Sequence, residues 1–220
     1  MQDSSFKIPI NIPPELITEI LLRLPVKSLL QLRCVSKSWL ALISSPEFIK
    51  THLNICANNK NYTHHRLMVG LSPPEQNLKN CSVSSLLYDS VSIEAINLDY
   101  PYKNTHKFPR YPFIVGSVNG LICFSVQGTE FFPWNPSIRK FKKLPDSIGC
   151  CSFMFGFGYD ELHDDYKIVG IDRYLGHDGL RHAKAKIFSV NSDSWTSVDN
   201  FQEGVVFIRS KGMFVNGKLY

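Results

Sequence analysis

Glycine is absent from the first 60 residues, although the chain of 220 holds 13. Aromatics are nearly as scarce there, limited to Phe6, Trp39 and Phe48. Such a stretch, with leucine at 10 of its 60 positions, favours helices over turn-punctuated strands. No apolar run reaches the ~18 residues that a membrane-crossing helix needs, which excludes a helical span. The start, MQDSSFKIPINIPPEL, lacks a continuous apolar segment behind a basic one, so no secretory leader is expected. Charge of one sign is not concentrated either. The 24 Lys and Arg against 19 acids leave +5, well short of a dedicated nucleic-acid surface. The six cysteines, at 34, 56, 81, 123, 150 and 151, contain no CxxC and no His pair at zinc-finger spacing. Reduced thiols in a cytosolic or nuclear protein are therefore expected. The neighbours Cys150 and Cys151 would point to opposite faces of a strand and rarely bridge.

What is present divides the chain in two. Residues 61–220 carry every glycine and the other 24 aromatics, a composition suited to short strands and turns. Between the halves, the polar stretch from Ala57 to His65 reads as a connector. With 44% hydrophobic and 20% charged residues, the chain can bury a core.

In the first half, Pro13 and Pro14 precede a run whose Leu16, Ile20, Leu21 and Leu24 recur at helical spacing, with Glu15 at the positive end of the dipole. Pro25 ends this helix. A second short helix, opened by Lys27 or Ser28, carries Leu29, Leu30 and Leu32, and a third is expected from about Arg33 to Ile43. Ser44-Ser45-Pro46-Glu47 then resembles a cap before a last short helix through Phe48 and Leu53. A module of this size buries only about 60% of its surface, and normally gains stability by docking. Its surplus of leucine marks a partner face.

Ile12-Pro13-Pro14-Glu15-Leu16, the run Ile20 to Leu30 (ILLRLPVKSLL) and Arg33-Cys34-Val35-Ser36-Lys37-Ser38-Trp39 strongly resemble the F-box of plant F-box proteins. The match is nearly gapless over 12–53, with Ile12 where leucine is usual and Pro14 following the family proline, Pro13. The resemblance implies docking on a Skp1-like adaptor and, through it, a cullin, in an SCF-type ubiquitin ligase. It also implies that Pro13, Leu16, Ile20, Leu24, Pro25, Leu29, Leu30, Val35, Lys37 and Trp39 form the adaptor interface. Trp39 is the strongest single anchor on physical grounds, because large aromatics commonly dominate docked surfaces. Other apolar positions hold the helices to one another. A helix-turn-helix reading suits the slight basic tilt of this segment, but its third helix is too apolar to read bases.

The second half alternates short strands with turn signals. Phe113 to Val118 leads through Asn119-Gly120, a two-residue hairpin turn, into Leu121 to Phe124. Strands are expected over Phe131–Trp134, Phe153–Tyr159, Tyr166–Ile171, Ala185–Val190 and Trp195–Val198, with a further turn at Asn216-Gly217. Two internal echoes appear. Phe132-Pro133-Trp134-Asn135-Pro136 returns 56 positions later as Phe188-Ser189-Val190-Asn191-Ser192, each followed by an aromatic, Phe141 or Trp195. Gly116-Ser117-Val118-Asn119-Gly120-Leu121-Ile122 returns as Met213-Phe214-Val215-Asn216-Gly217-Lys218-Leu219. Strand repeats near 50 residues point to a propeller of the kelch class.

These passages also resemble the F-box-associated domain of plant F-box proteins, including the S-locus F-box-like and F-box/kelch-repeat groups. The resemblance implies a β-domain that recruits an unidentified substrate protein. The fold class expected is α+β: a small three-helix F-box at 7–53, a linker at 54–65, and an incomplete all-β, propeller-like domain at 66–220. A six-bladed ring needs roughly 270 residues, so a truncated ring is expected. Its aromatics Phe131, Phe132, Trp134, Phe153, Phe155 and Phe157 would then lose part of their burial.

Chemistry in this half is sparse. Gly156-Phe157-Gly158 lacks the third glycine of a dinucleotide loop, and Asp160, Asp164 and Asp165 miss the calcium-loop spacing. His64-His65 neighbours point apart on an extended chain. No cofactor, metal, membrane or nucleic acid is expected, and the protein is read as a non-catalytic recognition subunit. A kelch-type enzyme would need clustered metal or carboxylate ligands, and a DNA-binding regulator would show steep salt dependence. Candidate target-binding tips are 127–129, 160–165 and 174–179.

Overall fold

Proline and serine do the punctuation that glycine does elsewhere. The computed structural model describes residues 12–59, 65–70, 77–88, 95–100, 112–126, 128–146, 154–175, 181–198, 214–215 and 218–219. Pro13 caps α1 (Pro14–Leu22) and Pro25 caps α2 (Val26–Leu32). Ser36 caps α3 (Lys37–Ser44), its hydroxyl accepting the Trp39 N–H at 3.1 Å. Ser45 repeats the device for α4 (Pro46–Asn58), accepting from Phe48 N–H at 3.2 Å. The third helix thus starts later than the expected Arg33. Cys34 and Val35 instead close a tight turn on the Gln31 and Leu32 carbonyls, which leaves Ser36 free to cap. The fourth helix runs beyond Leu53 to Asn58, into the segment expected to be connector. Leu21, Leu29, Ile43 and Phe48, one from each helix, form the buried centre, flanked by Ile17, Leu22, Leu24, Leu32, Trp39 and Leu42.

By its contacts the chain divides into two compact units, Met1–His65 and Arg66–Tyr220. The second opens with β1 (Arg66–Gly70) and β2 (Leu78–Ser82), then the short α5 (Val83–Tyr88) and β3 (Ile96–Asn97). The three strands pair antiparallel in the order β1-β2-β3. Two four-stranded antiparallel meanders follow among the described residues. The first is β4 (Pro112–Val118), β5 (Leu121–Val126), β6 (Glu130–Asn135) and β7 (Lys140–Phe141). The second is β8 (Met154–Asp160), β9 (Asp165–Leu175), β10 (Arg181–Ser189) and β11 (Ser194–Val198). A last hairpin pairs β12 (Phe214–Val215) with β13 (Lys218–Leu219).

Both echoes acquire a structural meaning. Phe132 and Phe188 occupy the third strand of successive meanders, and Phe141 and Trp195 the fourth. The second echo aligns the β4–β5 pair Val118↔Leu121 with the β12–β13 pair Val215↔Lys218; Asn216-Gly217 itself lies outside the described residues. Asn119 (φ 52) and Gly120 (φ 75) are both left-handed, as the tight hairpin turn requires.

The β4–β7 sheet is buried on both faces. Ile122, Phe124, Val126, Phe132 and Trp134 pack with Leu78 of β2 and with Tyr100 on one side. Cys123 and Phe131 pack with Phe155, Phe157, Ile168 and Phe188 of the next sheet on the other. This stacking corrects one expectation. Phe131, Phe132, Trp134, Phe155 and Phe157 retain at most 7% exposure, because strand alternation sends them between sheets; Phe153 lies outside the described residues.

The sheets approach most closely where β4 meets β8. A bulge between Ile114 and Gly116 turns Val115 inward, and a Cβ on Gly116 would stand 3.1 Å from Phe157 Cβ and 3.2 Å from its carbonyl oxygen. Phe157 backbone cannot give way without moving β8. Gly116→Val is therefore expected to cost roughly 1–3 kcal/mol by overpacking. Gly120→Ala, with open space around it, should cost only the strain of its positive φ. Urea unfolding of both variants checks the order; equal midpoints would contradict the close approach.

Candidate functional site

Helix α1 is apolar on two sides. Ile17 and Leu21, joined by Leu24 just after the helix, turn inward to the helical core. Leu16 and Ile20, one turn apart, face outward with 50% and 54% of their surface exposed, and Ile12 just before the helix is exposed as well. One apolar stripe suffices to hold a helix on its core, so the second stripe has no partner inside the unit. Val35, in the turn before α3, is 60% exposed. Pro13 and Lys37 are also exposed, while Leu24, Pro25, Leu30 and Trp39 are half-buried.

Two expected interface residues change character. Leu29 is 5% exposed at the centre of the four-helix cluster, so its side chain serves the unit's own packing rather than a surface. Trp39 lies against the same core, so it holds α3 as well as edging the surface. Leu40, Ile49 and Ile55 are exposed apolar residues absent from the expected set. The signal for Leu40 was its position next to the inward Trp39–Ile43 spacing, which a helical wheel separates.

Sequence reasoning also missed His52. It is buried on α4, where its Nε2–H donates to the Leu24 carbonyl at 2.9 Å and its ring stacks on Phe48. Leu24 and Pro25 form the corner between α1 and α2, so one imidazole ties that corner to the last helix. Cys56, one turn on, sits 3.7 Å from the ring.

In the second unit the β8–β9 turn is a network. Asp160 accepts from the Leu162 N–H at 3.1 Å, from His163 Nδ1 at 2.7 Å and from the Lys167 ammonium. The Lys167 and His163 contacts hold its carboxyl well below the usual carboxylate range. Tyr159 donates its hydroxyl to Asp164, and Asp165 is buried, accepting the Asn191 N–H at 3.0 Å. These aspartates are thus committed to holding the turn. Gly156 and Gly158 lie inside β8 with no helix following, so they form no phosphate loop. Cys81 and Cys123 are buried thiols, and burial pushes Cys123 far up. The Cys150-Cys151 pair, His64 and most of the 174–179 tip lie outside the described residues, as does Gln127.

Comparison with known families assigns residues 10–51 to the F-box domain and 74–220 to the F-box associated beta propeller domain. The chain belongs to the plant F-box proteins with an associated β-propeller domain. It is 34% identical to an F-box/kelch-repeat protein of Arabidopsis thaliana over 220 residues, 96% of this chain and 58% of the relative. The F-box protein CPR1 of Arabidopsis thaliana is 31% identical over 208 residues, 89% of this chain and 47% of that protein. A third F-box protein of that plant is 32% identical over 193 residues, 86% of this chain and 49% of the relative. The chain spans about half the length of the curated relatives it matches. No solved structure matches it. Proteins of this family are generally SCF substrate receptors and typically non-catalytic.

The F-box unit therefore carries an outward apolar stripe and a buried histidine under its α1–α2 corner. His52→Ala leaves the Leu24 carbonyl unsatisfied and opens a cavity beside Phe48. The expected loss is about 1–3 kcal/mol of F-box stability. Helical circular dichroism during urea unfolding measures it. In the propeller unit, the Asp164 hydrogen bond holds the Tyr159 phenol protonated up to about 12. Its ordinary value is ~10, so its contribution to stability is complete below ~10 and lost as pH rises through the raised value. The alkaline difference titration between wild type and Tyr159→Phe should isolate one phenol ionising near 12; a missing group near ~10 would contradict the bond.

Proposed function

We propose that this chain acts as the substrate receptor of an SCF-type ubiquitin ligase. Its F-box docks on a Skp1-like adaptor, and its β-domain holds a target protein. The observation that carries the reading is the second apolar stripe of α1. Leu16 and Ile20 expose half their surface in a helix whose other stripe already packs the core. Covering such side chains contributes about 25 cal/mol per Å² of apolar surface. Pro13, Val35 and Lys37 extend the exposed face, and Leu24, Pro25, Leu30 and Trp39 supply its half-buried floor.

Mechanism in this reading is proximity without bond chemistry. The receptor raises the effective concentration of a target lysine near the ubiquitin-loaded enzyme that the cullin delivers. Nothing in the receptor itself need donate a proton or attack a carbonyl. The thiols Cys34, Cys56, Cys81 and Cys123, none of them in a disulfide, suit a reducing compartment, cytoplasm or nucleus. Among the described residues no helix is long and apolar enough to cross a membrane.

Adaptor capture by the full chain tests the reading. Leu16→Asp and Ile20→Asp place a charge on the outward stripe without touching the core, and each is expected to weaken capture at least 100-fold. Helical circular dichroism should stay unchanged in both. Undiminished capture by the two folded variants would remove α1 from the interface. Trp39→Ala is a poorer probe, since Trp39 also packs the core.

A further inference from the structure

Two buried polar side chains, each with an oxygen that has no hydrogen-bond partner, face the same seam of the β-domain. Asp172 on β9 is 7% exposed, and Ser125 on β5 is fully buried. Among the described residues, neither Asp172 Oδ1 nor Ser125 Oγ has a hydrogen-bond partner. Strand alternation puts Asp172 on the face of β9 that carries Ile168 and Gly170, toward the β4–β7 sheet. The same rule puts Ser125 on the face of β5 that carries Cys123, toward the β8–β11 sheet. Phe155 links them. It pairs with Gly170, one ladder step inside Asp172, and its ring meets those of Phe113 and Phe131, the two cross-strand neighbours of Ser125, at 5.9 and 4.8 Å.

The seam opens outward from these groups. Along that face of β9, Ile168 is fully buried, Gly170 buried, Asp172 7% exposed and Tyr174 51% exposed. Tyr174 stacks on His182 across the ladder at 5.5 Å, making an aromatic lip just beyond the carboxylate. Lys184 stands directly opposite Asp172 on β10, yet does not satisfy Oδ1. A buried carboxylate oxygen without a hydrogen bond is uncommon, so Oδ1 points to a donor-bearing group that completes it.

We infer that this seam takes the side chain of an arginine presented by the target protein. A carboxylate only accepts hydrogen bonds, and a guanidinium offers five donors in a planar fork. The plane stacks on aromatic rings, which the Tyr174–His182 lip supplies, whereas an ammonium is a compact and strongly hydrated charge. A metal ion is a poor fit, because a hard cation wants six or more oxygens and, among the described residues, the seam offers a single carboxylate. The inference rests on the β-domain being the target-binding half, and it names the chemistry of the residue recognised.

The test uses the full chain, isotope-labelled, titrated with N-acetyl-arginine-amide and, as controls, the lysine and glutamine analogues. Arginine-amide should shift the amides of Ser125, Asp172, Tyr174 and His182, with the lysine analogue at least threefold weaker and the glutamine analogue silent. Asp172→Asn should cut these shifts at least fivefold with the melting temperature retained. Ser125→Ala should halve them. Equal shifts from all three amides, shifts scattered over the surface, or shifts unchanged in folded Asp172→Asn would overturn the site. Adaptor capture by Asp172→Asn must equal that of wild type. Loss of capture by the wild-type chain, with the arginine shifts intact, would instead defeat the receptor reading and leave this site standing.

Discussion

The second unit depends on one constraint: the β4–β7 sheet has no face that it can give to water. Phe124, Phe132 and Trp134 leave one side of the pleat and Cys123 and Phe131 the other, and all five are buried. A sheet of this composition is stable only between two others. The three-stranded sheet supplies one cover and β8–β11 the second. Each cover is stabilised by the sheet that it protects. Gly116 follows from the same demand, because strands packed so tightly leave no room for a Cβ against Phe157. The latch from Trp195 Nε1 to the Pro145 carbonyl, at 3.0 Å, fastens the two meanders at their edge.

The helical unit meets the opposite problem. It is too small to bury all its apolar residues, and four helices leave Leu16, Ile20 and Val35 in water. Exposure of this kind is tolerated because the inner stripe, with Leu21, Leu29, Ile43 and Phe48, is already sufficient to assemble the unit. A stripe that contributes nothing to the free unit is available to a partner. His52 adds a polar tie where packing alone would leave the α1–α2 corner loose. The two halves thus divide the labour by residue type. Leucine on short helices provides a docking face, and stacked aromatics provide a rigid frame.

Much of this was legible before any coordinates. Pro13, Pro25, Ser45 and Pro46 mark helix ends because their backbone chemistry is local. Asn119-Gly120 marks its hairpin because few dipeptides accept two left-handed residues in succession. The 56-residue echo located equivalent strands of successive meanders, since a repeated turn must be encoded each time it is built. Where the reading erred, either a local cap or the packing of several helices decided the outcome. Ser36 displaced the start of α3 through a side-chain cap that competes with Arg33 for the helix boundary. Leu29 and Leu30 are neighbours of identical type, and only the packing of four helices decides that Leu29 is the one enclosed.

By itself, the sequence determined the order of the four N-terminal helices and of most strands from β4 onward, though not β1 to β3 or α5. It also determined the division into a leucine-rich helical unit and an aromatic β-unit, and the family motif on α1 to α3. Those properties rest on periodicity, capping and turn chemistry, which act over a few neighbouring residues. Only the tertiary structure decided which α1 stripe faces out, that the expected exposed aromatics are enclosed, and that Asp172 and Ser125 look into one seam. Each of these depends on pairs far apart in the chain, such as Phe131 with Phe155 or Leu24 with His52. Burial is a property of both partners at once, and one chain segment read alone carries only its own half.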